Sequence, residues 1–316
     1  MTHAARHILD ARRLTGNPEG MLGLLMSWAL AAATPAVADI GHGLRLHYVE
    51  QGTGPALVFV HGSLSDYSYW NEQLDAFGKA YHAVAYSRRY DFPNDNPARA
   101  HYSAEADAED LAAFIKVQRL APAFLIGHSY GALTALFLAV RHPELLRALV
   151  LAEPPAVTLL NELSTPDAKI GRELYADIQA RMVTPMRSAF VRGDTEAGVS
   201  VFIDYVFANP HAWQDLSPSS RAETLRDAHE WEVMLPQGTL FPRIAPKEVR
   251  GIKLPVLIMT GGKTYRFLQL IDDDLAALLP RAETRVYPTA GHQMWLQEPE
   301  TCRRNAVEFF RRSATP

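Results

Sequence analysis

The chain has a single cysteine, Cys302, in 316 residues. One thiol excludes an intrachain disulfide and a cysteine-rich zinc site, and it leaves the redox compartment undefined. Beside Arg303 and Arg304 it reads as an ordinary helix cysteine rather than an activated thiolate. An excess of charge of one sign is also lacking. Thirty-one Lys and Arg stand against 35 Asp and Glu, for a net charge of -4, and there is no long basic run. No nucleic-acid partner is therefore expected. There is no Walker-type loop, dinucleotide fingerprint or histidine-rich metal spacing, so no cofactor or metal is expected either. The apolar stretch from Met21 to Ala33 is too short for a comfortable membrane span. It follows Arg6, Arg12 and Arg13 and precedes Ala36-Val37-Ala38, a small-residue pattern like that of a signal cleavage site. Two readings stay open: an export signal cleaved near Ala38, or a cytoplasmic protein whose amphipathic N-terminal helix packs on the domain or on a partner. Residues 1–40 are set apart as an N-terminal extension.

What remains is 48% hydrophobic and 21% charged, a balance that suits a well-packed globular protein. Leu44 to Val49 alternates apolar and polar residues, as a half-exposed strand does. Ala56 to Val60 is continuously apolar, the pattern of a strand buried on both faces of a parallel sheet. Further strands are predicted at Tyr81 to Ala85, Ala123 to Ile126, Ala148 to Leu151, Pro255 to Met259 and Thr284 to Tyr287. Helices are predicted at Tyr69–Phe77, Ala104–Val117, Ala132–Val140, Leu268–Leu279 and Pro299–Arg311. Strands alternating with helices predict an α/β fold with a mostly parallel central sheet covered on both faces. The alternation fails between residues 156 and 249, where two helical patterns, Glu173–Arg187 and Ala197–Phe207, lie among Pro and Ser. That stretch is read as a helical lid, with Trp213, Trp231, Tyr205, Phe202 and Phe207 mainly serving its own core. Residues 41–155 and 250–316 then form the main domain.

Gly127-His128-Ser129-Tyr130-Gly131 lies between a strand and a helix, the context that the G-x-S-x-G nucleophile elbow requires. In that turn glycine is expected to absorb unusual backbone angles. His61-Gly62 ends one predicted strand and Gly291-His292 follows the last one. With these three motifs, in this order and at strand ends, the chain resembles the α/β-hydrolase superfamily from about Leu44 to Phe310. The lid would then be inserted between the sixth and seventh strands of that fold.

A serine hydroxyl needs a base to take its proton as it attacks. The resemblance implies Ser129 as nucleophile and His292 as base, whereas His128 is expected to point away from the reacting centre. Many family members carry the acid of the triad just after the seventh strand. Here that loop reads Gly261-Gly262-Lys263-Thr264-Tyr265, with no carboxylate. Glu153, immediately after the sixth strand, resembles the acid of zearalenone-type lactone hydrolases and is favoured over Asp272-Asp273-Asp274. The oxyanion hole is expected from the Tyr130 and Ser63 amides, with Leu64 as the fallback for Ser63. Arg88 and Arg89 are read as structural ion pairs, the alternatives being capture of an acidic substrate or a clamp on lid carboxylates. These features imply a serine hydrolase acting on an ester or lactone of a small, rather apolar molecule. A serine at position 129 argues against epoxide-hydrolase or dehalogenase chemistry. A carbon–carbon bond hydrolase or a cofactor-free perhydrolase or haloperoxidase would use the same triad. A non-catalytic ligand-binding scaffold is the remaining alternative, and the oligomeric state stays open.

Overall fold

The computed structural model describes residues 35–163, 166–207 and 209–313, with Gln237 described for its backbone only. The stretch from Met21 to Ala33 lies outside the described residues. Eight strands form one sheet: β1 (Ala36–Gly41), β2 (Leu44–Gln51), β3 (Ala56–Val60), β4 (His82–Tyr86), β5 (Ala123–His128), β6 (Leu146–Ala152), β7 (Val256–Gly261) and β8 (Ala282–Tyr287). Their spatial order is β1-β2-β4-β3-β5-β6-β7-β8. The pairs β1/β2 and β2/β4 are antiparallel, and every pair from β4/β3 to β7/β8 is parallel.

The two faces of the sheet follow from the period of two. Val58, Val60, Leu125, Leu149, Leu151 and Ile258 point into one core, together with the helices Ala104–Val117, Tyr130–Arg141 and Arg266–Leu278. Leu57, Phe59, Phe124, Ile126, Val150, Leu257 and Met259 point into the other, under the helices Asn71–Phe77 and Pro299–Ser313. Each of these strand side chains is almost fully buried, a gain of roughly 1.5–3 kcal/mol apiece. This double burial is why the middle strands read as unbroken apolar runs.

One expectation needs correcting. Ala36-Val37-Ala38 is the start of β1, in register with Tyr48, His47 and Leu46 of β2. Ala38 and Ile40 face the core while Val37 and Asp39 face outward. Among the described residues the sheet therefore begins at Ala36, and residues 36–40 belong to it. Small alternating residues on an edge strand look the same as a processing motif.

Between β6 and β7 the chain forms a helical insertion, including Ala168–Ile178, Thr184–Val191, Thr195–Val206, Pro218–Arg226, His229–Gln237 and Pro246–Gly251. The first two are joined through a π-helical turn, Gln179–Val183, where a single helix was expected. Trp213 and Trp231 are buried, and the Trp231 ring packs edge-on to Phe202 at 4.8 Å. Charged contacts that tie the insertion to the main domain include Arg226 to Asp66 at 2.9 Å, Asp167 to Arg266 at 3.2 Å, and Glu230 to Arg88. No helix among the described residues is long and apolar enough to cross a membrane.

Candidate active site

Ser129 joins β5 to the helix Tyr130–Arg141 with φ 53° and ψ −125°. Its amide donates to the Ala152 carbonyl at 2.9 Å, which pins the turn to β6. The left-handed backbone that was expected of the flanking glycines is borne by the serine itself. The glycines serve close approach instead. A Cβ on Gly131 would stand 2.4 Å from the carbonyl oxygens of Val60 and His61, and one on Gly127 would stand 2.7 Å from the Ala132 Cα. Gly62 brings the loop after β3 against Ser129, since a Cβ there would lie 3.5 Å from the Ser129 Oγ. The Tyr130 amide opens the helix, where an N–H has no partner within the helix. Ser63 follows Gly62 directly, and Leu64 behind it turns the loop with φ 53°.

Glu153 directly follows β6, with its backbone at φ 51° and its side chain fully buried. Three donors converge on its carboxylate. The Gly261 amide reaches Oε1 at 2.7 Å, and the Thr264 hydroxyl reaches Oε2 at 2.8 Å. His292 Nδ1 stands 2.5 Å from Oε2. With the carboxylate accepting, the imidazole carries its proton on Nδ1 and keeps a lone pair on Nε2. Asp272 lies elsewhere: its Oδ2 accepts from the Thr260 hydroxyl at 2.6 Å. Burial, and then the charge of Glu153, push the Asp272 carboxyl well above its ordinary range.

His128 was expected to point away from the reacting centre, and in part it does not. Its Nε2 donates to the His292 carbonyl at 2.8 Å, and the two rings are 4.7 Å apart. The Tyr69 ring stacks on its outer face at 5.2 Å, and the Tyr69 hydroxyl donates to Gln293 at 3.0 Å. Burial, followed by the nearby His292, lowers the His128 pKa to about 3, so the ring stays neutral. The His292 loop is thus held by the residue just before Ser129. Only its adjacency to Ser129 signalled this in the sequence; nothing foretold the helpers Thr264, Tyr69 and the Gly261 amide.

Arg88 and Arg89 face inward. Arg89 forms a two-pronged pair with Asp110, both contacts at 2.6 Å. Arg88 is fully buried among Asp107 at 2.8 Å, Asp91 at 3.2 Å and Glu230 of the insertion. The readings as structural pair and as clamp on an insertion carboxylate both describe it. The Cys302 thiol is buried, and burial pushes its pKa up to about 12, so the neighbouring arginines do not activate it. Among the described residues no group of three or more His, Cys, Asp or Glu side chains is arranged to hold a metal.

An eight-stranded, mostly parallel sheet with a serine at the strained turn after β5 is the α/β-hydrolase fold. Residues 57–304 match the model of the alpha/beta hydrolase family, and the chain belongs to that family. It is a hydrolase of this type. Epoxide hydrolase 3 of Mus musculus is 24% identical over 266 residues, 82% of this chain and 71% of that protein. A 2-(acetamidomethylene)succinate hydrolase of Mesorhizobium japonicum is 28% identical over 144 residues, 45% of this chain and about half (51%) of that relative. Among solved structures, the enol-lactonase of Burkholderia xenovorans superposes with a TM-score of 0.67 at 19% identity, covering 87% of this chain and 99% of that one. A carboxylesterase of Bacillus subtilis gives a TM-score of 0.65 at 20% identity, with 88% and 91% covered. At such identities the two structures speak for the fold alone.

Proposed function

We propose that this hydrolase uses Ser129 as nucleophile, His292 as base and Glu153 as the acid that orients it, to cleave an ester or lactone of a small, rather apolar molecule. The observation that carries the proposal is the 2.5 Å contact between His292 Nδ1 and Glu153 Oε2, in the loops beside the Ser129 elbow. It leaves Nε2 free to take the serine proton as the hydroxyl attacks a carbonyl carbon. The tetrahedral oxyanion is received by the Ser63 and Tyr130 amides, each such donor being worth about 100- to 1,000-fold in rate. His292 then protonates the leaving alcohol, and the same base activates a water that resolves the acyl-enzyme. The insertion serves as a lid over the strand ends, at residues 156–249, and selects the substrate.

The epoxide hydrolases among the relatives pose the sharpest alternative, and the chemistry of residue 129 weighs against it. A carboxylate that opens an epoxide leaves an ester, which water can cleave. A serine that opened one would leave a dialkyl ether, and the enzyme would be spent after one turnover. An acyl group on serine is an ester again, so turnover favours a carbonyl substrate. The lactonase and the esterase of the same fold act on that substrate class.

The test is a panel of ester and lactone substrates with Ser129→Ala alongside, together with a fluorophosphonate probe. Serine-dependent turnover and labelling at Ser129 are expected. A probe-inert parent, or a Ser129→Ala variant as active as the parent, refutes the proposal.

A further inference from the structure

Arg88 is fully buried beside the loop after β3, and its contacts are unusually directed. Its backbone amide donates to His61 Nε2 at 3.1 Å, and its Nη2 donates to the Gly62 carbonyl at 3.3 Å. His61 Nδ1 donates to that same carbonyl at 2.8 Å. One neutral tautomer, with the proton on Nδ1, satisfies both bonds of the ring. Burial, and then the Arg88 charge, hold the His61 pKa well below its ordinary value, which keeps the ring neutral.

The Gly62 carbonyl and the Ser63 N–H are the two ends of one peptide plane. Cis bonds in the described chain occur at Phe92–Pro93 and Ala121–Pro122. The Gly62–Ser63 unit is therefore trans, and its two ends point in opposite directions. Two donors gripping the carbonyl fix which way the N–H points. They also polarise the amide and strengthen it as a donor. The guanidinium lies 5.0 Å from the centre of the Tyr130 ring, whose own amide is the second proposed oxyanion donor. On its far side it is held by Asp107 and, through both nitrogens, by Glu230 from the helix His229–Gln237 of the insertion. Glu230 is 1% exposed, so this link is a seated part of the interior and not a surface pair.

We propose that Arg88 is a positioning residue of the oxyanion hole, aiming the Ser63 amide through the Gly62 carbonyl, and that Glu230 makes this aim depend on the seating of the insertion. The inference rests on the serine-hydrolase reading above. Closing the insertion on a substrate then completes the donor pair, and the enzyme stabilises an oxyanion best when it is closed.

The informative variant is Glu230→Gln, which keeps the shape and removes one of three carboxylates crowded around a single guanidinium. Arg88→Lys is the second, because a point charge cannot serve Gly62 and Glu230 together as the planar fork does. Arg226→Gln is the control, since it cuts another charged tie of the insertion to the main domain, the one to Asp66, and leaves Arg88 untouched. Parent and variants are compared on a short p-nitrophenyl ester. They are also compared for inhibition by a trifluoromethyl ketone, whose serine adduct carries an oxyanion, and by the matching secondary alcohol, which forms none.

The two test variants are expected to lose about 10- to 100-fold in kcat, with a parallel loss of ketone affinity. KM and alcohol affinity should move less than about threefold, and Arg226→Gln should resemble the parent. Unchanged ketone affinity in both test variants overturns the proposal. So does an equal loss in Arg226→Gln, which would mean simple loosening of the insertion. A parent that shows no Ser129-dependent turnover overturns the serine-hydrolase reading first and this inference with it. A parent that turns over normally while Glu230→Gln and Arg88→Lys match it overturns only this inference.

Discussion

Replacing Glu153 by glutamine changes one atom and, on this geometry, disables the base. Three donors converge on the carboxylate: the Gly261 amide on one oxygen, and the Thr264 hydroxyl and His292 Nδ1 on the other. An amide offers one acceptor oxygen and one NH2. If the oxygen stays on Gly261, the NH2 meets His292 and drives the imidazole proton from Nδ1 to Nε2. That tautomer has no lone pair for the serine proton. If the oxygen turns to His292, the NH2 is forced against the Gly261 N–H deep in the interior, at a cost of about 1–3 kcal/mol for the unmet donor. The first arrangement is the better one, and it is the inactive one. A triad acid changed to its amide loses about 10,000-fold in kcat, or about 5 kcal/mol at 1.36 kcal/mol per decade. Glu153→Gln is therefore expected to fall by roughly 1,000- to 10,000-fold on a p-nitrophenyl ester with KM nearly unchanged. Asp272→Asn and Asp274→Asn, assayed in parallel, should lose less than about tenfold. A Glu153→Gln enzyme within about tenfold of the parent, or a larger loss in either aspartate variant, would refute the assignment of the acid.

Two further outcomes test the frame around the site. Gly131→Ala would set a Cβ 2.4 Å from two backbone oxygens that cannot swing aside. It should destabilise by about 1–3 kcal/mol or more, read as a lowered urea midpoint with an unchanged slope. A midpoint equal to the parent's would mean that strand and helix are less tightly apposed. His128 stays neutral in the fold down to about pH 3, whereas its unfolded-state pKa is near 6.5. Below pH 6.5 the unfolded chain therefore takes up a proton that the native one refuses. Stability is fully present above pH 6.5 and falls toward pH 3, by about 1.4 kcal/mol per pH unit from this group. Urea titrations between pH 7 and 4.5 should show a shallower decline for His128→Gln than for the parent, and equal slopes would refute the burial argument.

The sheet was legible because its middle strands are buried on both faces, so that Ala56–Val60 and Ala123–His128 read as apolar runs with little competing pattern. β1 was not. Six small, alternating residues on an edge carry too little apolar surface to stand out from a processing motif. The helix expected over Glu173–Arg187 is interrupted by a π turn, which side-chain spacing does not encode. Ser129 and His292 stood out by motif and order, and Glu153 was favoured over Asp272-Asp273-Asp274 by its resemblance to family members that seat the acid after the sixth strand. The supports were hidden for a different reason. Thr264, Tyr69 and Glu230 lie 111, 224 and 142 residues from the partners they meet, and no local pattern spans such distances.

Backbone strain gives the site a unity that sequence spacing conceals. Non-glycine residues with positive φ in the described chain include Leu64, Ser129 and Glu153, all in loops at the carboxyl ends of parallel strands. Such conformations cost about 1–3 kcal/mol each and persist only where the surroundings over-determine them. Here the Ser129 amide bonds to the Ala152 carbonyl, and Ala152 immediately precedes Glu153, so the two strained turns brace one another. Because β5, β6, β7 and β8 are neighbours in that order, Glu153, just after β6, stands one strand short of the loop where family members commonly carry the triad acid. Its carboxylate must cross to the Gly261 amide of β7 before it meets His292, which follows β8. An aspartate at 153 would stop one carbon–carbon bond, about 1.5 Å, short of both partners. If Glu153 is the acid, as proposed, its extra methylene is what lets a carboxylate placed one strand inward reach both partners.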